Sequence, residues 1–306
     1  MRNQNTISKE ISFEGSGLHS GKRSKITLKP APENTGIVFL YNNAGLHEFI
    51  PYSPDYVTDT KNNITISNGR VIIKTVEHIA SALYGLRIDN CIIEINSTET
   101  PIMDGSTKEF VRRIKECGIE KQLALKPEFV IVSPVWIKSE DKFIVILPHN
   151  GLKINYTISF PNSPIGTQNL TIEFSEKKYI DEISNARTFG FIEDLDEYYK
   201  NGLVLGANFE NVHVFSKTEN KVINGSRYND EPVRHKILDL IGALALLPFD
   251  LKGYIVSYKG GHGIDVMFVK KILQLFAKKD KEQLKESFYS KNGYTYSNFL
   301  KLDDIQ

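Results

Sequence analysis

His235 and Asp239 stand four residues apart in a strongly periodic apolar segment, so on a helix both side chains project from one face, about a turn apart. An imidazole nitrogen and a carboxylate oxygen are both good zinc ligands, and this spacing lets the two close on one ion. By itself the pair reads more simply as a hydrogen-bonded surface couple. Adding His78 gives three protein ligands with a fourth position left for water, the layout of a catalytic rather than a structural zinc. Glu77, beside it, is then placed to take a proton from that water as a general base. Taken alone, Glu77 and His78 are better explained as a carboxylate favoured at a helix N-terminus and a capped, half-buried ring.

His262 sits in the run Lys259-Gly260-Gly261-His262-Gly263 after an expected strand. Glycines on both sides permit an exposed turn with close backbone approach, so the ring can serve a cleft as proton donor or charge stabiliser. A flexible loop with a solvated histidine explains the same residues equally well. The run lacks the Gly-Lys-Ser/Thr ending of a phosphate-binding loop, which disfavours nucleotide hydrolysis.

These side chains need elements to carry them. Ser24 to Leu28 and Gly36 to Leu40 alternate as strands, with a turn over 30–35. From Thr75 the period changes. Val76, Ile79, Ala80, Leu83 and Leu86 fall at helical spacing, and a short buried strand follows at Cys91 to Ile95. A second helix is expected over Thr107 to Cys117. Helical pattern stops at Leu123 to Pro127, the best domain boundary, and strands resume at Phe129. Strands near Trp136, Phe143 to Leu147, Lys153 to Phe160 and Leu170 to Phe174 lead to a helix over Glu231 to Leu247 and a strand over Gly253 to Tyr258. Val269 to Ala277 and Lys281 to Phe288 are expected as two closing helices.

The second half thus repeats the grammar of the first. Glu77 to Leu83 leads into the strand at Cys91, and Arg234 to Leu240 leads into the strand at Tyr254, each run with a histidine near a helix start. Two duplicated α+β domains sharing a cleft at those histidines are expected, over residues 1–125 and 126–277, with a helical extension over 278–306. Chance likeness between two amphipathic helices is the competing explanation.

Composition narrows the classes. A chain of 306 residues exceeds one ordinary hydrophobic core, and 41% hydrophobic with 25% charged residues excludes a disordered or collagen-like chain. The net charge of +1 gives no general reason to bind nucleic acid or an anionic membrane. No apolar run reaches the roughly 20 residues of a membrane span, and Pro248 interrupts the best candidate, Ile241 to Phe249. The polar start Met1 to Asn5 lacks the apolar stretch of a secretion signal, so a cytoplasmic protein is expected. Cys91 and Cys117 are expected as buried thiols rather than a disulfide framework.

From about Phe13 to Val269 the sequence resembles the zinc-dependent UDP-3-O-acyl-N-acetylglucosamine deacetylases of lipid A biosynthesis. The blocks that carry the likeness, in order, are Gly17-Leu18-His19-Ser20-Gly21, Thr75-Val76-Glu77-His78, Gly85-Leu86 with Asp89-Asn90, Pro101 to Ser106, Ala186 to Phe191, Gly202 to Gly206 and Val233 to Asp239. The resemblance implies two α+β domains, each a β-sheet with helices, the helices packed between the two sheets and the metal cleft at the junction. It implies zinc on His78, His235 and Asp239, with Glu77 as general base and His262 stabilising the oxyanion and protonating the departing amine. Thr188 would help hold the oxyanion, and Lys236 would face phosphate or sugar groups.

By the same likeness Phe160 and Phe191 would flank the nucleotide, with Lys142, Asp194 and Lys259 as further nucleotide contacts. Leu18, Phe189 and the run Leu203-Val204-Leu205 would line the passage for the 3-O-acyl chain. As a structural alternative, these are core aromatics, ordinary core aliphatics and surface charges. Asp104 and Gly105 are expected to set a tight turn rather than do chemistry.

Three departures from the family pattern bear on the chemistry. Ala243 stands where the pattern has an aspartate four residues after Asp239, and its loss should lower the His262 pKa and weaken its acid role. Asp265 stands in a segment that usually holds asparagine and is placed to compensate only if it points the right way. Asn211-Val212-His213 departs from the small residues expected beside the passage, which puts acyl length and acylation in question. The first reading is removal of acetate from UDP-3-O-acyl-N-acetylglucosamine by a monomer that binds this UDP-sugar and Zn²⁺. The alternatives are a deacetylase acting on another N-acetylated nucleotide sugar, and a non-catalytic nucleotide-sugar or acyl-group binding protein. A binding protein has no need of Glu77 as a base, which favours an enzyme.

Overall fold

The computed structural model describes residues 1–287, with side chains described through residue 278. The fold is α+β and is built on a five-stranded and a six-stranded sheet, five strands of the second following the same design as the first. In the first, β1 (Ile11–Ser16), β2 (Arg23–Pro30), β3 (Ile37–Asn43), β4 (Leu46–Pro51) and β5 (Cys91–Ile95) lie in the order β1-β2-β5-β3-β4. The second holds β6 (Val135–Ser139), β7 (Lys142–Leu147), β8 (Leu152–Phe160), β9 (Gly166–Glu173) and β10 (Asp250–Tyr258) in the order β6-β7-β10-β8-β9. Along these five strands each is antiparallel except at one joint: β3 runs parallel to β5 with Val38 opposite Ile92, and β8 runs parallel to β10 with Ile154 opposite Ile255. That shared order and shared parallel joint repeat the arrangement across the two halves. A short parallel strand, Glu128–Val130, also pairs with β10, and Asn3–Ile7 pairs antiparallel with Ile119–Leu125.

Alternation explains which face of each sheet is covered. Along β8 the side chains of Leu152, Ile154, Tyr156 and Ile158 are buried, while their neighbours face outward. Phe13, Ile26, Leu28, Phe39 and Ile93 do the same for the first sheet. Against these faces lie α1 (Glu77–Gly85), α2 (Lys108–Cys117), α3 (Glu231–Leu244) and α4 (His262–Ser287). The helices before the last strand of each repeat, α1 and α3, pack on one another. Ser81 donates from Oγ to the Leu238 carbonyl at 2.8 Å, and Tyr52, from the first sheet side, donates to the Gly242 carbonyl at 2.9 Å. Both helices are buried nearly all round.

Two expectations change here. The closing helices are one continuous helix, α4, and it begins at His262: the amide of Asp265 bonds the Gly261 carbonyl at 3.0 Å and closes the first turn. Glycine in this run marks a helix entry rather than an exposed turn. Phe288 and the rest of the expected extension, residues 288–306, lie outside the described residues. Cys91 and Cys117 are both free and buried. Asp104 does set a turn, accepting from the amide and hydroxyl of Ser106, while Gly105 has φ +79° and a Cβ there would stand 1.8 Å from the Asn211 carbonyl oxygen.

Candidate metal centre

The N-terminus of α1 and the first three turns of α3 meet at a cavity of about 570 Å³. From α1 come Glu77 and His78, and from α3 come His235 and Asp239, four residues apart on one face. One ligand atom each from His78, His235 and Asp239 lies within 4.8 Å of the others, and all three residues are at most 4% exposed. His235 Nε2 is 3.3 Å from Asp239 Oδ1, and the His78 and His235 rings are 5.1 Å apart. On the far side of its ring, His235 Nδ1 lies 3.1 Å from the Ala186 carbonyl oxygen. A proton on Nδ1 donated to that carbonyl leaves the Nε2 lone pair free, the usual support of a metal-binding imidazole.

Electrostatics follow from burial. Enclosure pushes the Glu77 carboxyl up to about 8, with the Asp239 charge adding to the effect, although the Ile64 amide donates to its Oε2 at 2.9 Å. Burial drives His78 down to about 3, the neighbouring His235 reinforcing it. Asp239 is the exception: burial would raise it, but Lys236 and His235 together hold it well below the usual carboxylate range. Lys236 Nζ reaches Asp239 Oδ2 at 2.7 Å. Thus the cavity floor keeps one committed anion among neutral imidazoles, while the carboxyl of Glu77 holds a proton readily. Asp239 Oδ1 and His78 Nδ1 are buried without a hydrogen-bond partner.

His262 enters from the start of α4, its Nε2 3.9 Å from Asp239 Oδ2, and burial lowers its pKa to about 4. Thr188 and Lys236 line the same cavity, as do Leu18, Phe160, Phe189 and Phe191. Phe160 lies between Phe189 and Phe191, with ring centroids 5.7 and 6.0 Å away. Thr188 is fixed through the backbone, its amide bonded to the Gly105 carbonyl at 2.8 Å and its carbonyl to the His213 amide at 2.8 Å. Behind it, the wholly buried Glu231 accepts from the Arg187 amide and guanidinium at 3.0 and 2.9 Å, anchoring the 186–189 segment over the start of α3.

Five expected contacts lie outside the cavity lining, among them Leu205, which is exposed. Leu203 is half-buried beside it, and the next residue, Val204, faces in. Lys142 is exposed at the start of β7, and Lys259 pairs with Asp141 at 2.6 Å. Asp194 pairs with Lys217 at 2.7 Å, and it is Lys217 that covers Phe191, its Nζ 4.3 Å from the ring centroid. Sequence reasoning also passed over His19. That imidazole is buried on the cavity wall with neither ring nitrogen partnered, and its place between Leu18 and Ser20 in a glycine-flanked block was the available signal.

The three departures resolve differently. Ala243 is wholly buried one turn beyond Asp239 on α3. Asp265 is wholly buried too, neither carboxylate oxygen has a hydrogen-bond partner, and burial holds its carboxyl well above the usual range against the opposing charge of Lys236. Burial thus works against the ionised form that would compensate His262. In the 211–213 run only Val212 lines the cavity. Asn211 turns its side chain onto the Asn208 amide and Gly206 carbonyl, and His213 faces Ser226 and Glu231 at 3.0 and 3.4 Å. The passage wall therefore stays apolar at this point.

Residues 4–274 match the family described as UDP-3-O-acyl N-acetylglycosamine deacetylase. Among curated proteins, a UDP-3-O-acyl-N-acetylglucosamine deacetylase of Oleidesulfovibrio alaskensis is 42% identical over 273 residues, 88% of each chain. Proteins of the same name from Idiomarina loihiensis and Coxiella burnetii are 40% and 42% identical, covering 89% of this chain and 90% and 91% of theirs. With likeness of that extent running through both sheets and the helices that frame the cavity, the chain belongs to the UDP-3-O-acyl N-acetylglycosamine deacetylase family.

Proposed function

We propose that this protein is a zinc-dependent amide hydrolase that removes acetate from UDP-3-O-acyl-N-acetylglucosamine, an early step of lipid A biosynthesis. The observation that carries the reading is the convergence of His78, His235 and Asp239 beside the buried Glu77 carboxyl, at the floor of a cavity with an apolar wall. Two imidazoles and a carboxylate suit zinc, and Asp239 Oδ1, buried without a partner, is an oxygen that a cation would satisfy. Zinc, when held by these three residues, supplies Lewis acidity that makes water acidic near neutral pH and polarises the amide carbonyl.

The remaining work falls to the chain itself. Glu77, buried beside the three donors, removes the proton of the attacking water in its ionised form, which a bound cation would favour. The Thr188 hydroxyl and the Lys236 ammonium offer donors to the oxygen on which charge develops, and both line the cavity. As the carbon–nitrogen bond breaks, His262 delivers a proton to the departing amine, so acetate and a free glucosamine amine leave. Phe160 and Phe191 take the nucleotide end, while Leu18, Phe189 and Val204 take the acyl chain. No helix among the described residues is long and apolar enough to cross a membrane, and a cytoplasmic monomer acting on a UDP-sugar fits this reading.

The test is direct. Zinc-loaded protein is incubated with UDP-3-O-acyl-N-acetylglucosamine and separately with UDP-N-acetylglucosamine, and free amine is followed. Turnover confined to the acylated compound supports the reading. Turnover of the second alone assigns a different N-acetylated nucleotide sugar, and binding without turnover assigns a binding protein.

A further inference from the structure

Glu99 is wholly buried and takes no part in the donor set, yet three donors converge on its carboxylate. The amides of His19 and Ser20 reach Oε1 and Oε2 at 2.8 Å each, and the Thr75 hydroxyl reaches Oε1 at 3.0 Å. Backbone pairing holds Glu99 in place beside Lys74, whose amide bonds the Thr98 carbonyl at 3.0 Å and whose carbonyl accepts the Thr100 amide at 3.1 Å.

Each end of this junction leads to a different part of the cavity. Thr75 has φ +58°, a left-handed conformation that is costly for a β-branched residue and persists only where the surroundings over-determine it. Here they do: besides the bond to Glu99, its amide donates to Asn63 Oδ1 and its carbonyl accepts the Thr100 hydroxyl. Two residues later the chain enters α1 at Glu77 and His78, so the Thr75 conformation sets the direction from which the base and one metal donor are presented. At the other end, the Leu18 and His19 carbonyls accept the Gly206 and Leu205 amides at 3.0 and 3.1 Å. A Cβ on Gly17 would stand 2.3 Å from Glu99 Oε2, and one on Gly206 would stand 2.2 Å from the Gly17 carbonyl, so these segments lie in direct contact with no slack. Val204, next in line and also at positive φ (52°), lines the apolar wall with Leu18.

We propose that Glu99 is a positioning residue that sets the apolar wall against the base and metal donors, so that a long acyl chain seated on the wall aligns the amide for attack. The proposal rests on the deacetylase reading above. A carboxylate suits the task because both oxygens only accept, whereas a glutamine of the same size would turn an NH₂ group toward one of the amide donors.

Two variants test it, Glu99→Gln and Thr75→Val. The second keeps both amide bonds and the β-branched shape and removes only the hydroxyl that joins the wall to α1. For each, kcat/KM is measured on a long-chain and a short-chain 3-O-acyl UDP-N-acetylglucosamine, with zinc content and Tm recorded alongside. The long-to-short preference is expected to fall by about tenfold in both variants, with zinc per chain unchanged. A merely structural role would depress both substrates in proportion to the folded fraction and leave the preference intact, and that result in Thr75→Val overturns the proposal even if Glu99→Gln does not fold. Wild-type protein that turns over neither compound defeats the deacetylase reading and this proposal with it. Wild-type turnover with an unchanged preference in the folded variants defeats this proposal alone.

Discussion

Gly242 of α3 presses against the backbone of Glu77 in α1, so closely that a Cβ at position 242 would stand 2.4 Å from the Glu77 carbonyl oxygen and 3.1 Å from its Cα. Both atoms are main chain, so no side-chain rotation relieves the clash. Gly242→Ala is therefore expected to push α1 away from α3, costing about 1–3 kcal/mol of stability. Because His78 and Glu77 sit on the displaced turn and His235 and Asp239 on the other helix, zinc affinity should fall as well. Thermal unfolding and zinc titration of the variant check both. Wild-type zinc affinity in Gly242→Ala would mean that the donors do not depend on the close approach of the two helices.

Glu77 and His78 are sequence neighbours with separate assignments, one base and one donor, and substitution should separate them. Glu77→Gln is expected to keep one zinc per chain while turnover falls on the order of 10²- to 10⁴-fold. His78→Ala should lose the metal. Since a metal that binds only the folded state stabilises it by mass action, adding zinc should raise the Tm of wild type and Glu77→Gln but leave His78→Ala unmoved. Elemental analysis with calorimetry decides. Equal zinc content in His78→Ala and wild type would remove His78 from the donor set.

Much of this site was legible because its spacing is local. His235 and Asp239 announce one helical face, and Val76 to Leu86 announce the helix that carries Glu77 and His78. The repeated order of the two sheets was foreshadowed only as a loose echo, since strand order depends on pairings such as β3 with β5, whose residues lie more than fifty positions apart. What escaped was set by long-range contact or by backbone angle. Glu99 meets His19 across eighty positions, and no pattern around either residue points to the other. Which of Leu203, Val204 and Leu205 faces the cavity turns on the positive φ of Val204, which composition does not encode. His262 looked like a loop residue because glycines surround it, whereas the bond from Asp265 back to Gly261 makes it the first residue of a helix.

His213 gives a pH signature away from the metal donors. It is wholly enclosed, and burial carries its pKa from 6.5 down to about 4, against the opposing charge of Glu231. Between those two values the unfolded chain holds a proton on this ring that the folded chain does not. Stability rises with pH wherever the unfolded state binds more protons, so His213 subtracts stability progressively as pH falls from 6.5 toward 4. His213→Leu removes that liability. Its Tm relative to wild type should therefore improve as the pH is lowered from about 7 to about 4.5. A Tm difference independent of pH across that range would show that the ring already carries its charge when folded.

The pairing of Ala243 with His262 yields the sharpest prediction about the acid. His262 is buried, which lowers its pKa to about 4, and its Nε2 lies 3.9 Å from the Asp239 carboxylate. Asp265, three residues along the same helix, is buried without a hydrogen-bond partner, and burial raises its pKa, which opposes the ionised form that would act as a countercharge. A carboxylate placed at position 243, one turn beyond Asp239 on the face that already meets His262, would favour the imidazolium and raise its pKa. An acid is lost as pH rises through its pKa, so Ala243→Asp should carry activity to higher pH, moving the alkaline limb of the kcat/KM profile upward. It should also deepen the loss caused by His262→Ala, because a better acid has more to lose. Asp265→Asn, by contrast, keeps the shape of a side chain whose charge burial disfavours and should leave the limb in place. If instead Asp265→Asn lowers the limb while Ala243→Asp leaves it unmoved, then Asp265 is ionised in the working enzyme and has taken over support of His262 from within α4.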